Sequence, residues 1–350
     1  MDNFYGIYHY VSLSLTRGTC AGYQTFAGGR YWGLTMLRRI AAFMLGVVLS
    51  AQGGTAAPEA EKSSWEIGGR EYLGFGSMFV NDLLGDGKDR WRTGSYGTSR
   101  FWGYGWNGQL PAAPGDLIEL RIGGEILSPA SLTKHMPMDR PWAGMLSAGL
   151  HTQFQRQSTE FSMGGDILAL GPQTGLDHLQ GAIHDLFGFP GPSDEVRANQ
   201  IPNKWMVRFV GEAGRDFELG GQASLRPFVE TRLGDENLVR AGVDFTLGQF
   251  GRGELMSRDW VTGNRYRSGP NQEKGVSFVV GADVAKVFSS VYLPKDRGYD
   301  LTDLRTRVRA GVHWQGKKHH LFYGLTYLSE EFEMQYEGQV VGAIRLDFHF

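Results

Sequence analysis

Strict period-two alternation of charged and apolar side chains restricts this fold more than any other feature. Arg305, Arg307, Arg309 and His313 share one side of an extended chain, and Thr306, Val308, Ala310, Val312 and Trp314 share the other. Successive side chains of a strand point to opposite faces, so this run reads as a strand with one wholly charged face. In Leu238 to Leu247, Val239, Ala241, Val243 and Phe245 oppose Arg240 and Asp244. In Leu117 to Ile126, Ile118, Leu120 and Ile122 oppose Glu119, Arg121 and Glu125. A soluble sandwich shows similar dyads, so these strands leave sandwich and barrel both open.

The two ends of the chain narrow the choice. Ile344, Leu346, Phe348 and Phe350 alternate with Arg345, Asp347 and His349, so the last strand stops on an aromatic residue. Near the start, Leu37-Arg38-Arg39 precedes the apolar run Ile40 to Leu49 and small residues up to Ala57. A charged n-region, an h-region of about ten apolar residues and a small-residue cleavage site read as a secretory signal peptide over 36–57. Its initiator would be Met36, which makes 1–35 an upstream extension without periodicity. An amphipathic strand with an aromatic end behind a signal peptide resembles the terminus of bacterial outer-membrane barrels. The only cysteine, Cys20, lies in the extension, so 58–350 has no disulfide, cysteine nucleophile or cysteine metal ligand.

About twelve strand-like runs follow, each near the length of a tilted membrane strand. They fall near 65–82, 93–108, 116–126, 141–154, 160–171, 203–217, 221–233, 237–247, 275–288, 304–315, 319–332 and 338–350. The expectation is an all-β fold: a single transmembrane antiparallel β-barrel domain over 58–350, multi-pass in the outer membrane, with one short extracellular-loop helix. Closure pairs every backbone group, so only alternate side chains need be apolar, and mean hydropathy stays at -0.29. The body contains no continuous apolar run long enough for a membrane helix. A net charge of -2 gives no electrostatic case for nucleic acid, and nothing points to an obligate protein partner. Trp91, Trp142 and Tyr323, near strand ends, are candidates for interfacial girdles.

An even count puts both termini on the periplasmic side, so 83–92, 127–140 and 172–202 share the extracellular rim. One connection fits poorly. Gly248 to Lys274 is long where periplasmic turns are normally short, so either that turn is unusual or the count is off by a pair.

The rim carries the one segment that reads clearly as a helix, Leu176 to Gly188. Thr174 is its expected N-cap, Asp177 returns the bond as in a capping box, and Gly188 is a natural C′ residue. Leu176, Leu179, Ile183, Leu186 and Phe187 form an apolar face expected to be the contact face, with Gln180 and His184 along its edge and His178 pointing to solvent. His184 is either a packing residue or a base in a partly enclosed site. The ends of the first two strands bring Asn81, Asp82 and Thr93 together, as an Asx-type turn or as a polar site. The second outer loop supplies Lys134. Oxygen ligands such as Asn81 and Asp82 suit a hard cation like calcium, and no His pair has zinc spacing.

Five motifs then occur in order: Phe79-Val80-Asn81-Asp82; Asp89-Arg90-x-x-Thr93; Leu127-Ser128-Pro129 through Lys134; Asp139-Arg140-Pro141-Trp142-Ala143-Gly144; and Leu170-Gly171-Pro172 through His184-x-x-x-Gly188. They resemble those of the outer-membrane lipid A 3′-O-deacylase family, over 65–205 by motif and to Phe350 by strand pattern. The resemblance implies a twelve-stranded barrel whose site lies between the wall and an outer-loop helix. It also implies calcium-dependent removal of acyl chains from the lipid A of lipopolysaccharide, in the outer-membrane bilayer. Carried over by position, His184 matches the general base, Asn81 and Asp82 the essential polar pair, Thr93 the hydroxyl residue and Lys134 the functional lysine. Asp82 would hold calcium, Asn81 calcium or the water, and Lys134 a phosphate or sugar oxygen of the substrate. Gln180 would orient substrate or face solvent.

The chain departs from that family after the helix, where Gln200-Ile201-Pro202-Asn203-Lys204 has a proline and a lysine in place of polar or acidic groups. Asp185 is the alternative carboxylate for a metal. Two other functions compete: a phospholipase-type barrel esterase, which needs an activated serine, and a non-enzymatic channel or structural barrel. Twelve strands enclose a narrower lumen than the roughly 16 to 18 of porins, so Arg305, Arg307, Arg309, Glu230 and Arg232 are expected to fill it as a charge network.

Overall fold

The computed structural model describes residues 66–268, 274–316 and 319–348. The signal-peptide and extension readings, Cys20 and Phe350 lie outside them. The wall strands are β1 (Glu71–Asn81), β2 (Trp91–Gly103), β3 (Ile118–Ser128), β4 (Ala143–Arg156), β5 (Thr159–Leu170), β6 (Lys204–Gly214) with its short continuation β7 (Phe217–Gly220), β8 (Ala223–Leu233) and β9 (Glu236–Leu247). A hairpin of β10 (Met256–Arg258) and β11 (Arg265–Arg267) precedes β12 (Gly275–Ser290), β13 (Arg305–Gln315), β14 (His319–Leu328) and β15 (Gln339–Phe348). Each wall strand pairs antiparallel with its neighbour in sequence, β9 with β12 across the hairpin, and β1 with β15 to close the ring. With β6 and β7 sharing one place, this is a closed barrel of twelve strands.

Alternation decides what faces where. In β13 the side chains of Arg305, Arg307, Arg309 and His313 are buried in the lumen, while Thr306, Val308, Ala310, Val312 and Trp314 are exposed on the outer wall. Between neighbouring strands, Asp283 of β12 accepts from Arg307 of β13 at 2.9 Å and pairs with Arg240 of β9 at 3.2 Å. Paired charges in the lumen and apolar side chains outside suit a protein whose solvent is lipid.

The long connection is unusual; the strand count stands. Residues 256–267 fold into the lumen as a plug. Trp260 packs where Gly97 and Gly123 leave no room for a Cβ, and its Nε1 donates to Glu125 Oε2 at 2.8 Å. Tyr266 bonds Ser99 at 2.9 Å, Ser257 donates to Glu119 at 2.8 Å, and Arg307 donates to the carbonyls of Trp260 and Val261. A turn with this many inward anchors is an interior element that happens to start at the periplasmic end.

Two girdle expectations are corrected. Trp91 and Trp142 are buried in the rim, because both indole N–H groups have partners there; Tyr323 is exposed, as are Trp205 and Trp314.

Candidate active site

The seam where β1 meets β15 and β2 positions the first polar residues. Asn81 ends β1 opposite Gly342 on one side and Gly94 on the other. Its Oδ1 accepts from the Leu83 amide at 2.9 Å and so caps a 3₁₀ turn, Asp82–Leu84. That turn lies against the β15 backbone, where Gly85 and Gly342 leave no space for side chains. Asp82 is buried in consequence, with its Oδ2 accepting the Arg90 amide at 2.9 Å. Burial pushes its carboxyl well above the usual range and the Asp89 charge adds to this, against the Arg90 amide and the Thr93 hydroxyl.

The third outer connection brings the helix, α1 (Leu176–Phe187), to the same place. Its N-cap is Gly175 in a left-handed conformation, not Thr174, which belongs to the preceding 3₁₀ turn Pro172–Thr174. Asp177 is buried beside Arg197 at 3.6 Å and closes no capping box; Gly188 does end the helix with φ of 77°. The buried face is also rotated from the expected one, although Leu176 packs against Leu132, Trp142 and Val196. Asp177, Gln180, Gly181 and His184 face inward, while Leu179 and Leu186 are exposed. The polar edge packs because the rim beneath it is polar, and Leu179 and Leu186 of the apolar stripe are left exposed. His178 is exposed as expected.

His184 Nε2 lies 3.1 Å from Asp89 Oδ2, and Nδ1 lies 2.8 Å from the Pro190 carbonyl. Asp89 Oδ1 also accepts the Thr93 hydroxyl at 2.5 Å and faces the Gln180 amide at 3.4 Å. Gln180 Oε1 accepts from Trp142 Nε1 at 2.8 Å. Gln180 therefore does not face solvent: it links the wall to Asp89. The first and third outer connections thus meet at one carboxylate, with Trp142 tied in through Gln180. Asp89 was only a motif position in the sequence, since nothing in its spacing shows that a helix ninety-odd residues later would reach it.

Lys134 shares the rim but not the cluster. Its side chain is exposed and its amide faces Ser131 Oγ at 3.3 Å. The segment Gln200 to Lys204 braces the helix start. Gln173 bonds Asn203 Oδ1 through its amide at 2.7 Å and the Lys204 carbonyl through its side chain at 3.1 Å, holding the turn that launches α1. Asp185 is exposed on α1.

Asp82, Asp89 and the Thr93 hydroxyl form an oxygen-rich site in which the buried Asp82 carboxylate has no ion-pair partner among the described residues. That donor set fits a hard cation. Among the described residues no group of three His, Cys, Asp or Glu side chains converges on one point, so further ligands would be hydroxyl, backbone, water or substrate oxygens.

A family model described as outer membrane protein LpxR matches residues 77–350. The chain belongs to the LpxR family. LpxR from Salmonella typhimurium superposes with a TM-score of 0.62 at 16% identity, over 79% of this chain and 99% of that one. The β domain of the Bordetella autotransporter BrkA gives a TM-score of 0.39 at 12% identity, over 80% and 99%. No curated protein sequence matches. As an LpxR-family barrel, the protein resides in the bacterial outer membrane, and the rim bearing His184 is the outer one by the strand order.

Proposed function

We propose that this LpxR-family protein is a lipid A deacylase, a hydrolase that removes an ester-linked acyl chain from lipopolysaccharide by 3′-O-deacylation, with water as nucleophile. The observation that carries this reading is the His184–Asp89 contact of 3.1 Å, held at the outer rim by Thr93 and Gln180. With the Pro190 carbonyl accepting from Nδ1–H, the neutral ring offers Nε2 as the base. A water taking the place of Asp89 at Nε2 gives up a proton there as its oxygen attacks the ester carbonyl. Asp89, moved aside by that water, favours the resulting imidazolium by its nearby charge, and the imidazolium then returns the proton to the departing sugar oxygen, leaving a free fatty acid and a hydroxyl.

Calcium bound by Asp82, with Asn81 beside it, would polarise the ester carbonyl and stabilise the oxyanion. Lys134, exposed on the second loop, is available to a phosphate or sugar oxygen, and the outward stripe of Leu179 and Leu186 to acyl chains. The hydrogen-bond partners of His184 are Asp89 and the Pro190 carbonyl, and no serine is among them, which favours water over the serine of a phospholipase-type esterase. The plugged lumen counts against a channel.

Mass spectrometry of lipid A from cells expressing the protein tests this. Wild type should lose an ester-linked chain, whereas His184→Ala or calcium depletion should leave lipid A intact. Unchanged acylation in wild type would reject the deacylase reading, and loss of phospholipid chains would replace it with a broader esterase.

A further inference from the structure

Trp91 opens β2 with φ of 53°, a left-handed backbone that glycine adopts readily and tryptophan rarely. The pairing of β2 with β3 then skips a residue. Arg92 faces Leu127, Gly94 faces Ile126, and Thr93 between them has no partner on β3. A bulge of this kind re-aims one side chain, and here it turns the Thr93 hydroxyl to Asp89.

Strained backbone persists where its surroundings over-determine it, and the Trp91 indole supplies that constraint. The ring is 1% exposed. Its Nε1 donates to Asp139 Oδ1 at 3.4 Å, the Arg90 guanidinium lies 4.4 Å over it, and Tyr336 meets it edge-on at 5.2 Å. Asp139 is fixed in turn, since its carboxylate accepts the amides of Ala130 and Arg140 and its carbonyl accepts the Tyr299 hydroxyl at 2.7 Å. One ring therefore ties the first, second and last outer loops together where β2 bends into the site.

We propose that Trp91 is a positioning residue: its clamped indole holds the left-handed turn that bulges β2 and so delivers the Thr93 hydroxyl to Asp89. The kinetic consequence rests on the deacylase reading; the geometry of the bulge is measured without it. Glycine is the discriminating substitution, because it favours the same φ and removes the clamp.

The test takes Trp91→Gly in the full-length refolded barrel, with folding checked by heat-modifiable mobility, and reads both lipid A turnover and the amide resonances of Thr93 and Gly94. The expected result is displaced resonances and a kcat lower by about tenfold to a hundredfold, with KM within about threefold of wild type. A folded Trp91→Gly with wild-type resonances and kcat would overturn the proposal. If that variant does not fold, Tyr336→Ala decides, since it removes one contact of the clamp from an exposed residue. Displaced Thr93 and Gly94 resonances with several-fold lower kcat then support the clamp, and wild-type resonances overturn it. If wild type itself does not deacylate lipid A, the functional reading fails and the resonances alone decide.

Discussion

His184 Nε2 and Asp89 Oδ2, 3.1 Å apart, join a loop helix to the connection between the first two wall strands. α1 belongs to an outer connection and not to a wall strand, so this contact, with Gln180 beside it, helps register His184 against the barrel. Asp89→Asn keeps the size of the side chain and, on the proposed mechanism, removes the charge that would face the imidazolium. The expected loss is about 10²- to 10⁴-fold in kcat with the barrel still folded. If the two groups act as a unit, Asp89→Asn adds little to His184→Ala in steady-state turnover of lipid A, and additive losses would separate their roles.

Gly144 is the seat of α1. A Cβ there would stand 2.5 Å from Thr174 Oγ1 and 3.1 Å from Leu176 Cβ, so Gly144→Val lifts the start of the helix. Because α1 takes no part in the β-ladders, heat-modifiable mobility should stay that of a folded barrel. Activity should fall by about a hundredfold, as expected when a base is displaced by roughly 1 Å. A Gly144→Val protein with full turnover would mean that the helix tolerates displacement.

The wall was legible because strand sterics write it directly. The alternation of Arg305 to Trp314 needs no tertiary information to be read, and the register around the ring follows it. The helix was legible in extent but not in orientation. Leu179 and Leu186 look like a contact stripe under the rule that apolar side chains go inside, and that rule inverts beside lipid and over a polar rim. The plug showed in the sequence only as an over-long connection, and its inward fold left no local signal, since its anchors are Gly97, Gly123, Ser99 and Glu119 on distant strands. Of the candidate site, the ordered motifs singled out His184, Asp82 and Thr93, which the structure brings to one place. Asp89 and Trp142 did not stand out as candidates because what joins them to the cluster is only what they touch in the fold.

Glu331, in the last outer loop, supplies a pH prediction. Burial alone would raise its pKa, but the guanidiniums of Arg92, Arg305 and Arg140 pull it down to about 2. A folded-state pKa below the ordinary value of about 4.3 means that the unfolded chain binds more protons between the two. The contribution of Glu331 is thus present above about pH 4.3 and is lost as pH falls towards about 2. Glu331→Gln leaves three guanidiniums short of a partner and should destabilise the barrel at neutral pH by about 3–5 kcal/mol. Urea unfolding in detergent from pH 7 to pH 2 should show a shallower acid limb in the variant. An unchanged limb would remove Glu331 from the acid response.

The plug predicts electrical behaviour. Trp260 fills the space against Gly97 and Gly123, Tyr266 and Ser257 bond β2 and β3, and Arg307 holds the hairpin by two carbonyls. Replacing 254–268 with a short Gly-Ser link strips these contacts, together with those of Arg258 to Glu212 and Asp244 and of Arg267 to Gln315, from strands around the lumen. The wall pairings do not involve the hairpin, and water entering the lumen can solvate Glu125 and Arg307, so the barrel should still close. What remains is a pore lined by Arg and carboxylate side chains, which should conduct ions in planar bilayers where the intact protein does not. Equal conductance in the two proteins would mean that ions bypass the hairpin and would reopen the channel reading. Equal silence would assign the seal to the Arg–carboxylate network alone.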